Sequence, residues 1–229
     1  MHAVGIVAAA GSGLRLGADV PKALVGLGGR PLVCWAVDAL HVGGVDEVVV
    51  AVPAPQRAAF TDVLPAGVHV VVGGDTRTAS VRAALAAARE HADGTDRTAV
   101  LVHDAARPLT PPAVVARVLE ALAAGADAVV PVLPVVDTTV VVDDDGRVTA
   151  DVPRAPLRRV QTPQGFDRAT LVAAYGRVSG TAAAYTDDAS VVRAAGVAVH
   201  TVAGDERAAK ITVAHDLALA ELQLSGEIS

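Results

Sequence analysis

The sequence has few of the residues that usually carry redox, disulfide or zinc chemistry. It contains one cysteine and seven histidines in 229 residues. A single cysteine, Cys34, excludes a disulfide within the chain, and its apolar, helix-like surroundings favour a buried structural thiol. Neither a His-Glu-x-x-His segment nor a cysteine pair is present, which argues against a zinc site. Any chemistry of this chain is therefore expected in other residue types.

A surplus of positive charge and long apolar runs are also lacking. The net charge of −6 argues against a general nucleic-acid binder, although a local cationic pocket for phosphates is compatible with it. The apolar runs are much shorter than a membrane span and are interrupted by Gly, Asp and Pro. Residues 1–3 lead directly into the first apolar run, without a signal-type segment. We expect a cytoplasmic protein with no nucleic-acid and no membrane partner.

The composition is rich in small apolar residues, which suit close packing of helices on a sheet. Hydrophobic residues make up 52% of the chain, mostly alanine and valine, while aromatic residues make up 2%. Short apolar runs read as buried strands at 4–9, 47–52, 68–72, 99–103 and 128–132. Helical patterns lie between them at 32–40, 56–63, 78–91 and 111–124. This alternation predicts a single Rossmann-like α/β domain over residues 1–229, with a mostly parallel sheet covered by helices on both faces.

The segment at about 135–157 breaks this alternation. Valine- and threonine-rich runs at 138–142 and 147–150 flank the turn sequence Asp143-Asp144-Asp145-Gly146, which predicts a protruding β-hairpin arm. Because an isolated hairpin is marginal in water, we expect it to dock either on its own sheet or on a second subunit. After it the α/β pattern resumes, with helices at 167–178, from a cap at Thr186 or Asp187 to 195, and at 212–224, and a strand at 197–202.

The first strand is followed by a glycine-rich loop and two cations, Arg15 and Lys22. Gly11 and Gly13 allow the backbone to approach a ligand closely. A dinucleotide fingerprint would need a third glycine where Leu16 stands, and a P-loop would need Ser or Thr directly after Lys22. Two interpretations stay open: a loop that binds a triphosphate-sized anion, and a solvated surface turn.

Several ordered motifs are similar to one enzyme family. The first motif is the loop Ala8-Ala9-Ala10-Gly11-Ser12-Gly13-Leu14-Arg15-Leu16, which is followed by Pro21-Lys22. The other motifs are Gly73-Gly74-Asp75-Thr76-Arg77, Val102-His103-Asp104-Ala105-Ala106-Arg107-Pro108, Gln161-Thr162-Pro163-Gln164-Gly165-Phe166, Thr186-Asp187-Asp188-Ala189-Ser190 and Lys210-Ile211-Thr212. From Val4 to about Leu222 the chain resembles the 2-C-methyl-D-erythritol 4-phosphate cytidylyltransferases of the non-mevalonate isoprenoid pathway. Relatives often carry asparagine two residues before the lysine of the last motif, where this chain has Ala208.

The resemblance implies that methylerythritol phosphate attacks the α-phosphorus of CTP and that pyrophosphate leaves. A phosphomonoester is largely ionised at neutral pH, so no general base is needed, and we expect His103 to be a core or supporting residue. Catalysis of this kind depends on positioning and on positive charge. The implied catalytic cations are Arg15 and Lys22 on the triphosphate, and Arg154 and Lys210 on the acceptor phosphate.

The same resemblance assigns the remaining binding residues and partners. The implied CTP-binding residues are Ala9, Ala10, Gly11, Gly13, Gly74, Asp75 and Ser80. The implied acceptor-binding residues are Asp104, Ala105, Arg107, Thr138 and Thr162. Mg²⁺ is expected, bound mainly through the CTP phosphates with no identified protein ligand, and so is a homodimer formed through the arm. Two alternatives stay open, a ribitol 5-phosphate cytidylyltransferase and a non-catalytic nucleotide-binding relative, while Leu16 disfavours a dehydrogenase.

The order of the motifs gives an expectation that does not depend on the resemblance. The loops that begin near Gly11, Gly73 and Asp104 each follow a predicted strand, and Thr138 follows another. Ligands of open parallel sheets bind beyond the carboxyl ends of the strands. These motifs should therefore meet at one edge of the sheet.

Overall fold

The computed structural model describes residues 1–10, 20–88, 97–177 and 185–227. Within these ranges the chain forms twelve strands and seven α-helices. The strands are β1 (His2–Ala8), β2 (Gly26–Leu27), β3 (Arg30–Pro31), β4 (Glu47–Val52), β5 (His69–Val72), β6 (Thr98–Asp104), β7 (Ala128–Pro134), β8 (Thr139–Val142), β9 (Val148–Val152), β10 (Arg158–Val160), β11 (Gln164–Asp167) and β12 (His200–Ala203). The helices are α1 (Leu32–Val42), α2 (Arg57–Val63), α3 (Arg77–Ala87), α4 (Pro112–Ala123), α5 (Arg168–Arg177), α6 (Asp188–Ala194) and α7 (Ala214–Ser225).

The main sheet has eight strands and is mostly parallel, as the sequence predicts. Its order runs β5-β4-β1-β6-β11-β7, and β10 and β12 also pair with β7. Strands β5, β4, β1 and β6 are mutually parallel, and β12 runs parallel to β7. Strand β11 is antiparallel to both β6 and β7, and β10 is antiparallel to β7. These two antiparallel strands were not expected from the sequence.

Both faces of the sheet are buried under helices, which confirms the predicted layering. Along β4, Val48, Val50 and Val52 belong to one apolar cluster, and Val49 and Ala51 to the other. Because successive side chains of a strand point to opposite faces, a strand covered on both sides is apolar throughout. Helices α1 and α4 supply the first cluster, and α3, α5 and α6 supply the second.

Small residues let the layers approach closely. A Cβ added at Gly165, on β11, would lie 2.3 Å from Cγ1 of Val118 on α4. A side chain there would push the helix away from the sheet.

Cys34 is 2% exposed, as expected of a structural thiol. In the part of the chain that the structure describes, no α-helix combines the length and the hydropathy that a membrane span requires.

Strands β8 and β9 form a separate two-stranded sheet. Thr139 pairs with Val152 and Val140 with Asp151, across a turn in which the Asp143 N–H donates to the Arg147 carbonyl at 3.0 Å. Several valines on this hairpin are exposed in the single chain, for example Val148 at 63%. The hairpin therefore makes little apolar contact with the main sheet.

Some boundaries differ from the sequence prediction. Helix α3 ends at Ala87, because Ala88 has an extended backbone with ψ of 132°; the predicted end at residue 91 lies outside the described residues. Strand β12 begins at His200, three residues later than predicted. Asp187, one of the two predicted caps, accepts the Ser190 N–H at 2.8 Å at the start of α6. The Thr162–Pro163 peptide, between β10 and β11, is cis.

Candidate active site

Of the predicted motifs, those at Gly73 and Asp104 begin at one edge of the sheet, whereas Thr138 is not part of this edge. Ala8 of β1 pairs with Asp104 of β6, so the loops that leave these two strands begin side by side. Val52 of β4 pairs with Val72 of β5, and the Gly73 N–H donates to the Val52 carbonyl at 2.8 Å. All four strands are parallel, so the four ends form one continuous edge. Ligands of such sheets bind at this edge.

A tightly packed wall of small residues forms where β1 and β5 end. Ser80, on the first turn of α3, is 1% exposed, and its hydroxyl lies 3.1 Å from the Gly74 carbonyl and 3.0 Å from the Thr76 carbonyl. A Cβ added at Gly73 would lie 2.6 Å from Oγ of Ser80 and 3.2 Å from Cβ of Ala10. Only glycine fits there without displacing its neighbours. Three of the predicted CTP-binding residues, Ala10, Gly74 and Ser80, are thus neighbours.

The loop that carries this wall is fixed by the start of α3. The Thr76 side chain accepts the Ala79 N–H at 3.1 Å and caps the helix. A Cβ added at Gly74 would lie 2.5 Å from Cβ of Ala79, so this loop also packs tightly on the helix. Asp75, a predicted CTP-binding residue, is exposed at the loop surface. Ala9, a predicted CTP-binding residue directly after β1, is 2% exposed, and its N–H donates to the Ala51 carbonyl at 2.9 Å.

Asp104, at the end of β6, lies among three cations. Its Oδ2 accepts from Nζ of Lys210 at 2.8 Å and lies 3.9 Å from Nε of Arg107. Its Oδ1 is contacted by Nε of Arg77 at 3.4 Å and by Nη2 at 3.5 Å. Asp104, Arg107 and Lys210 were predicted from the sequence as acceptor-site residues. The structure brings all three together and adds Arg77.

Asp104 is held in its ionised form by this environment. Burial alone would raise the pKa of the carboxyl group, but the charges of Arg77 and Lys210 outweigh burial and hold that pKa well below its usual range. Burial lowers the pKa of Arg107, whose Nε has no hydrogen-bond partner among the described residues. The carboxylate is an acceptor only, so it can serve hydroxyl groups of a ligand.

The segment that carries Lys210 docks on the loop after β6. The Ile211 N–H donates to the Ala106 carbonyl at 2.8 Å, and Nη1 of Arg107 donates to the Ala208 carbonyl at 2.7 Å. Asp216 then accepts the Thr212 and Val213 N–H groups at 2.6 and 3.0 Å, which fixes the start of α7. Two segments about a hundred residues apart in the chain are thereby held in register.

Thr162 lies beneath Asp104. Its Oγ1 accepts the Asp104 N–H at 3.1 Å and lies 2.8 Å from Nδ1 of His103. His103 is fully buried, and burial lowers its pKa to about 4, so the ring is neutral at pH 7. This confirms the expectation of a core histidine. Ala105, a predicted acceptor-site residue, is 2% exposed, and its N–H lies 3.4 Å from the Ala8 carbonyl.

Arg77 is held from its far side by residues to which the sequence analysis assigned no role. Its Nη1 donates to Oδ2 of Asp188, which is 1% exposed and also accepts a hydrogen bond from the Tyr175 hydroxyl. Burial would lower the pKa of Arg77, but Asp188 and Asp104 raise it. The motifs contained Arg77 and Asp188, but nothing in the sequence indicated that residues 111 positions apart form a pair.

The predicted residues of the hairpin region lie apart from the Asp104 cluster. Arg154 is exposed and donates from Nη1 to the Val136 carbonyl, while Thr138 is exposed just before β8. Among the described residues, neither has a hydrogen bond or ion pair to the cluster. Lys22 opens a short 3-10 helix, Lys22–Leu24, behind Pro21. Gly11, Gly13 and Arg15 lie outside the described residues.

The described residues do not form a protein cage for a metal ion. No group of three or more His, Cys, Asp or Glu residues in that part of the chain is placed to hold one. Two carboxylates of the site, Asp104 and Asp188, are already paired with arginine or lysine. Mg²⁺ that is bound mainly through substrate phosphates does not require such a cage.

Comparisons with known proteins agree with these observations over nearly the whole chain. A sequence model of the 2-C-methyl-D-erythritol 4-phosphate cytidylyltransferase family matches residues 3–226. The protein of that name from Nocardia farcinica is 52% identical over 224 residues, which are 96% of this chain and 93% of the relative. The one from Saccharopolyspora erythraea is 51% identical over 229 residues, 98% of this chain and 100% of the relative.

Solved structures give the same result at the level of the fold. The crystal structure of 2-C-methyl-D-erythritol 4-phosphate cytidylyltransferase from Thermus thermophilus matches with a TM-score of 0.79 and 39% identity, covering 98% of this chain and 100% of that one. The structure of 4-diphosphocytidyl-2C-methyl-D-erythritol synthase from Anaerococcus prevotii matches with a TM-score of 0.81 and 26% identity, covering 98% and 96%. The similarity is not confined to one motif.

Proposed function

Since the chain belongs to the 2-C-methyl-D-erythritol 4-phosphate cytidylyltransferase family, we infer that it transfers a cytidylyl group from CTP to 2-C-methyl-D-erythritol 4-phosphate and releases pyrophosphate, a step of isoprenoid precursor synthesis. The observation that carries this most directly is the family match over residues 3–226. The edge of the sheet supports it, because a tightly packed wall of small residues and a cationic cluster lie side by side there.

The charge of the cluster suits a reaction between two polyanions. Arg77, Arg107 and Lys210 all face Asp104, and Arg77 also pairs with Asp188, so the cluster holds three positive charges and two negative ones. The acceptor phosphate has a second pKa of about 6 and is largely ionised at neutral pH, so its oxygen attacks without a general base. The neutral, buried His103 fits a reaction that needs no proton acceptor. The protein then has to bring the two phosphates together and to neutralise their charge.

On the nucleotide side we propose that Arg15 and Lys22 contact the triphosphate. In this role they stabilise the charge that develops as the α-phosphorus changes partners. Gly11 and Gly13 allow the backbone to come close to the phosphates. The pyrimidine would lie against Ala9, Ala10, Gly74, Asp75 and Ser80. The tight packing of Gly73 against Ser80 and Ala10 supports a fixed wall beside the base.

On the acceptor side we propose that Asp104, Ala105, Arg107 and Thr162 contact the polyol, and that Lys210 binds its phosphate. The contacts of Asp104 with Lys210 and of Thr162 with the Asp104 N–H support one shared site. We propose one domain over residues 1–229, with the hairpin β8–β9 as an insertion at about 135–157. From this hairpin region, Thr138 and Arg154 would reach the acceptor that is bound to a second subunit. Val141, at 48% exposed, and Val148, at 63%, support a homodimer in which the hairpin is covered.

Magnesium is proposed to enter with CTP, bound mainly through the phosphate oxygens. When bound, it would neutralise phosphate charge. Location in the cytoplasm stays a prediction from the sequence.

The function is tested by pyrophosphate release from the purified protein. The protein is mixed with CTP and magnesium, and methylerythritol phosphate is compared with ribitol 5-phosphate as the acceptor. Release with methylerythritol phosphate and not with ribitol phosphate is expected. Release with ribitol phosphate alone would keep the chemistry but change the substrate, and CTP binding without release from either acceptor would refute a catalytic role.

A further inference from the structure

Arg77 joins the two halves of the site. It is the first residue of α3, directly after the loop 73–76 that forms the wall of small residues described above. Its guanidinium reaches Oδ1 of Asp104 at the end of β6, at 3.4 Å from Nε and 3.5 Å from Nη2. On the other side it donates to Asp188 at the start of α6. One side chain thus connects α3, β6 and α6.

The far end of Arg77 is rigidly held. Asp188 is 1% exposed and accepts hydrogen bonds from both Arg77 and the Tyr175 hydroxyl. The start of α6 is itself fixed, because Gln164 of β11 donates to Asp187 at 2.8 Å and accepts the Ala189 N–H at 3.0 Å. A planar guanidinium between two carboxylates keeps a defined orientation.

Two of the three cations around Asp104, Lys210 and Arg77, differ in how easily they can leave the carboxylate. Lys210 contacts Oδ2 through a single ammonium group, and its side chain is 43% exposed. Arg77 contacts Oδ1, its side chain is 30% exposed, and its other end is bound to Asp188. Lys210 can therefore move to an arriving phosphate while Arg77 stays on the carboxylate.

From this asymmetry we propose that Arg77, anchored by Asp188 and Tyr175, is a positioning residue that keeps the Asp104 carboxylate in place when Lys210 moves to the acceptor phosphate. The movement frees Oδ2 of Asp104 to accept a hydrogen bond from a hydroxyl of the polyol. Binding of the phosphate by Lys210 thus frees the carboxylate oxygen that accepts the hydrogen bond of the hydroxyl. The phosphate and the hydroxyl of the polyol are therefore recognised together. This rests on the proposed function, since it takes Asp104 and Lys210 as acceptor-binding groups.

The test compares two arginines of the same helix. Arg77→Gln removes the contact with Asp104. Arg82→Gln is the matched control, because Arg82 is also on α3 and donates to the Tyr175 carbonyl, with its guanidinium 5.3 Å from the centre of the Tyr175 ring, but does not contact Asp104 or Asp188. Steady-state kinetics give KM for each substrate and kcat, and thermal unfolding reports the fold.

Arg77→Gln is expected to raise KM for methylerythritol phosphate by about tenfold to a hundredfold, the effect of one lost hydrogen bond to a charged group, with a much smaller change in KM for CTP. Arg82→Gln should leave both near the wild-type values. In an Asp104→Asn background, Arg77→Gln should add little, because its effect acts through that carboxylate. A purely structural role would give additive losses on both substrates.

Other outcomes separate this proposal from the proposed function. If the wild type transfers cytidylyl groups and Arg77→Gln behaves like Arg82→Gln, or raises both KM values equally, the positioning role is refuted and the function stands. If the wild type transfers nothing, the function fails and this inference fails with it. Should Arg77→Gln not fold, Arg77→Lys replaces it, since one ammonium keeps the charge near Asp188 but cannot span both carboxylates as a fork. An unchanged acceptor KM in Arg77→Lys would overturn the proposal.

Discussion

Removing the charge of Asp104 should destabilise the fold in a pH-dependent way. Asp104 is 8% exposed and faces Lys210 at 2.8 Å, Arg77 at 3.4 Å and Arg107 at 3.9 Å. Asp104→Asn removes the carboxylate that faces Lys210 and Arg107, and it leaves Arg77 paired with Asp188 alone. Breaking a buried ion pair by removal of one partner costs about 3–5 kcal/mol. Because the amide still accepts hydrogen bonds, we expect the free energy of unfolding to fall by about 3 kcal/mol at pH 7, the lower end of this range.

The pH dependence follows from the direction of the pKa shift. The pKa of Asp104 is lower in the folded chain than its unfolded value of about 3.9, so its stabilisation is complete above that value and is lost as pH falls below it. The largest slope is about 1.4 kcal/mol per pH unit. If the folded carboxyl is still ionised at pH 3, the advantage of the wild type over Asp104→Asn shrinks by about 1.3 kcal/mol between pH 5 and pH 3.

Urea unfolding followed by circular dichroism at several pH values measures this difference. Asp127→Asn is the control, because its ion pair with Arg97 at 2.6 Å is exposed, with the two side chains 55% and 41% accessible, and should contribute less than about 1 kcal/mol. A loss for Asp104→Asn no larger than for Asp127→Asn, or a difference that does not change between pH 5 and pH 3, would refute the account of the buried cluster.

Three further predictions concern the site. Gly73→Ala, whose Cβ would lie 2.6 Å from Oγ of Ser80, should raise KM for CTP more than KM for the acceptor. Gly26→Ala, with open space around its Cβ, should leave both KM values unchanged. Equal effects of Gly73→Ala on the two KM values in steady-state kinetics would contradict the proposed wall. Lys22→Ala should lower kcat more than it weakens CTP binding measured by calorimetry, since its contact is proposed to strengthen in the transition state; equal losses would mean ground-state binding only. Mixed dimers of Lys22→Ala and Arg154→Ala subunits should recover about a quarter of the sites if the hairpin crosses between subunits, and no recovered activity would place both residues in one chain's site.

The sequence predicts the parallel part of the fold well, because each of those strands is a short apolar run between helical patterns. It does not predict β10 and β11. Arg158–Val160 has two arginines in three residues, and Gln164–Asp167 contains glycine and two polar residues, so neither resembles a buried strand. Their pairing with β7 and β6 depends on distant partners, which a local pattern does not contain.

The candidate site shows the same division. The glycine-rich and charged motifs indicate the right edge of the sheet, because each follows a strand. That Lys210 pairs with Asp104 across 106 positions, and that Arg77 pairs with Asp188, follows only from the fold. The sequence analysis treated Lys210 and Asp104 as separate ligands of the acceptor, whereas the structure makes them partners of each other.

The most direct test of the central claim follows the α-phosphorus of CTP. The purified protein is incubated with magnesium, methylerythritol phosphate and CTP labelled with ³²P at the α-position, and the products are separated. We expect the label to move into a cytidine diphosphate ester of the polyol, with unlabelled pyrophosphate released in equal amount. Label that remains in CTP, or that appears in CMP, would contradict cytidylyl transfer.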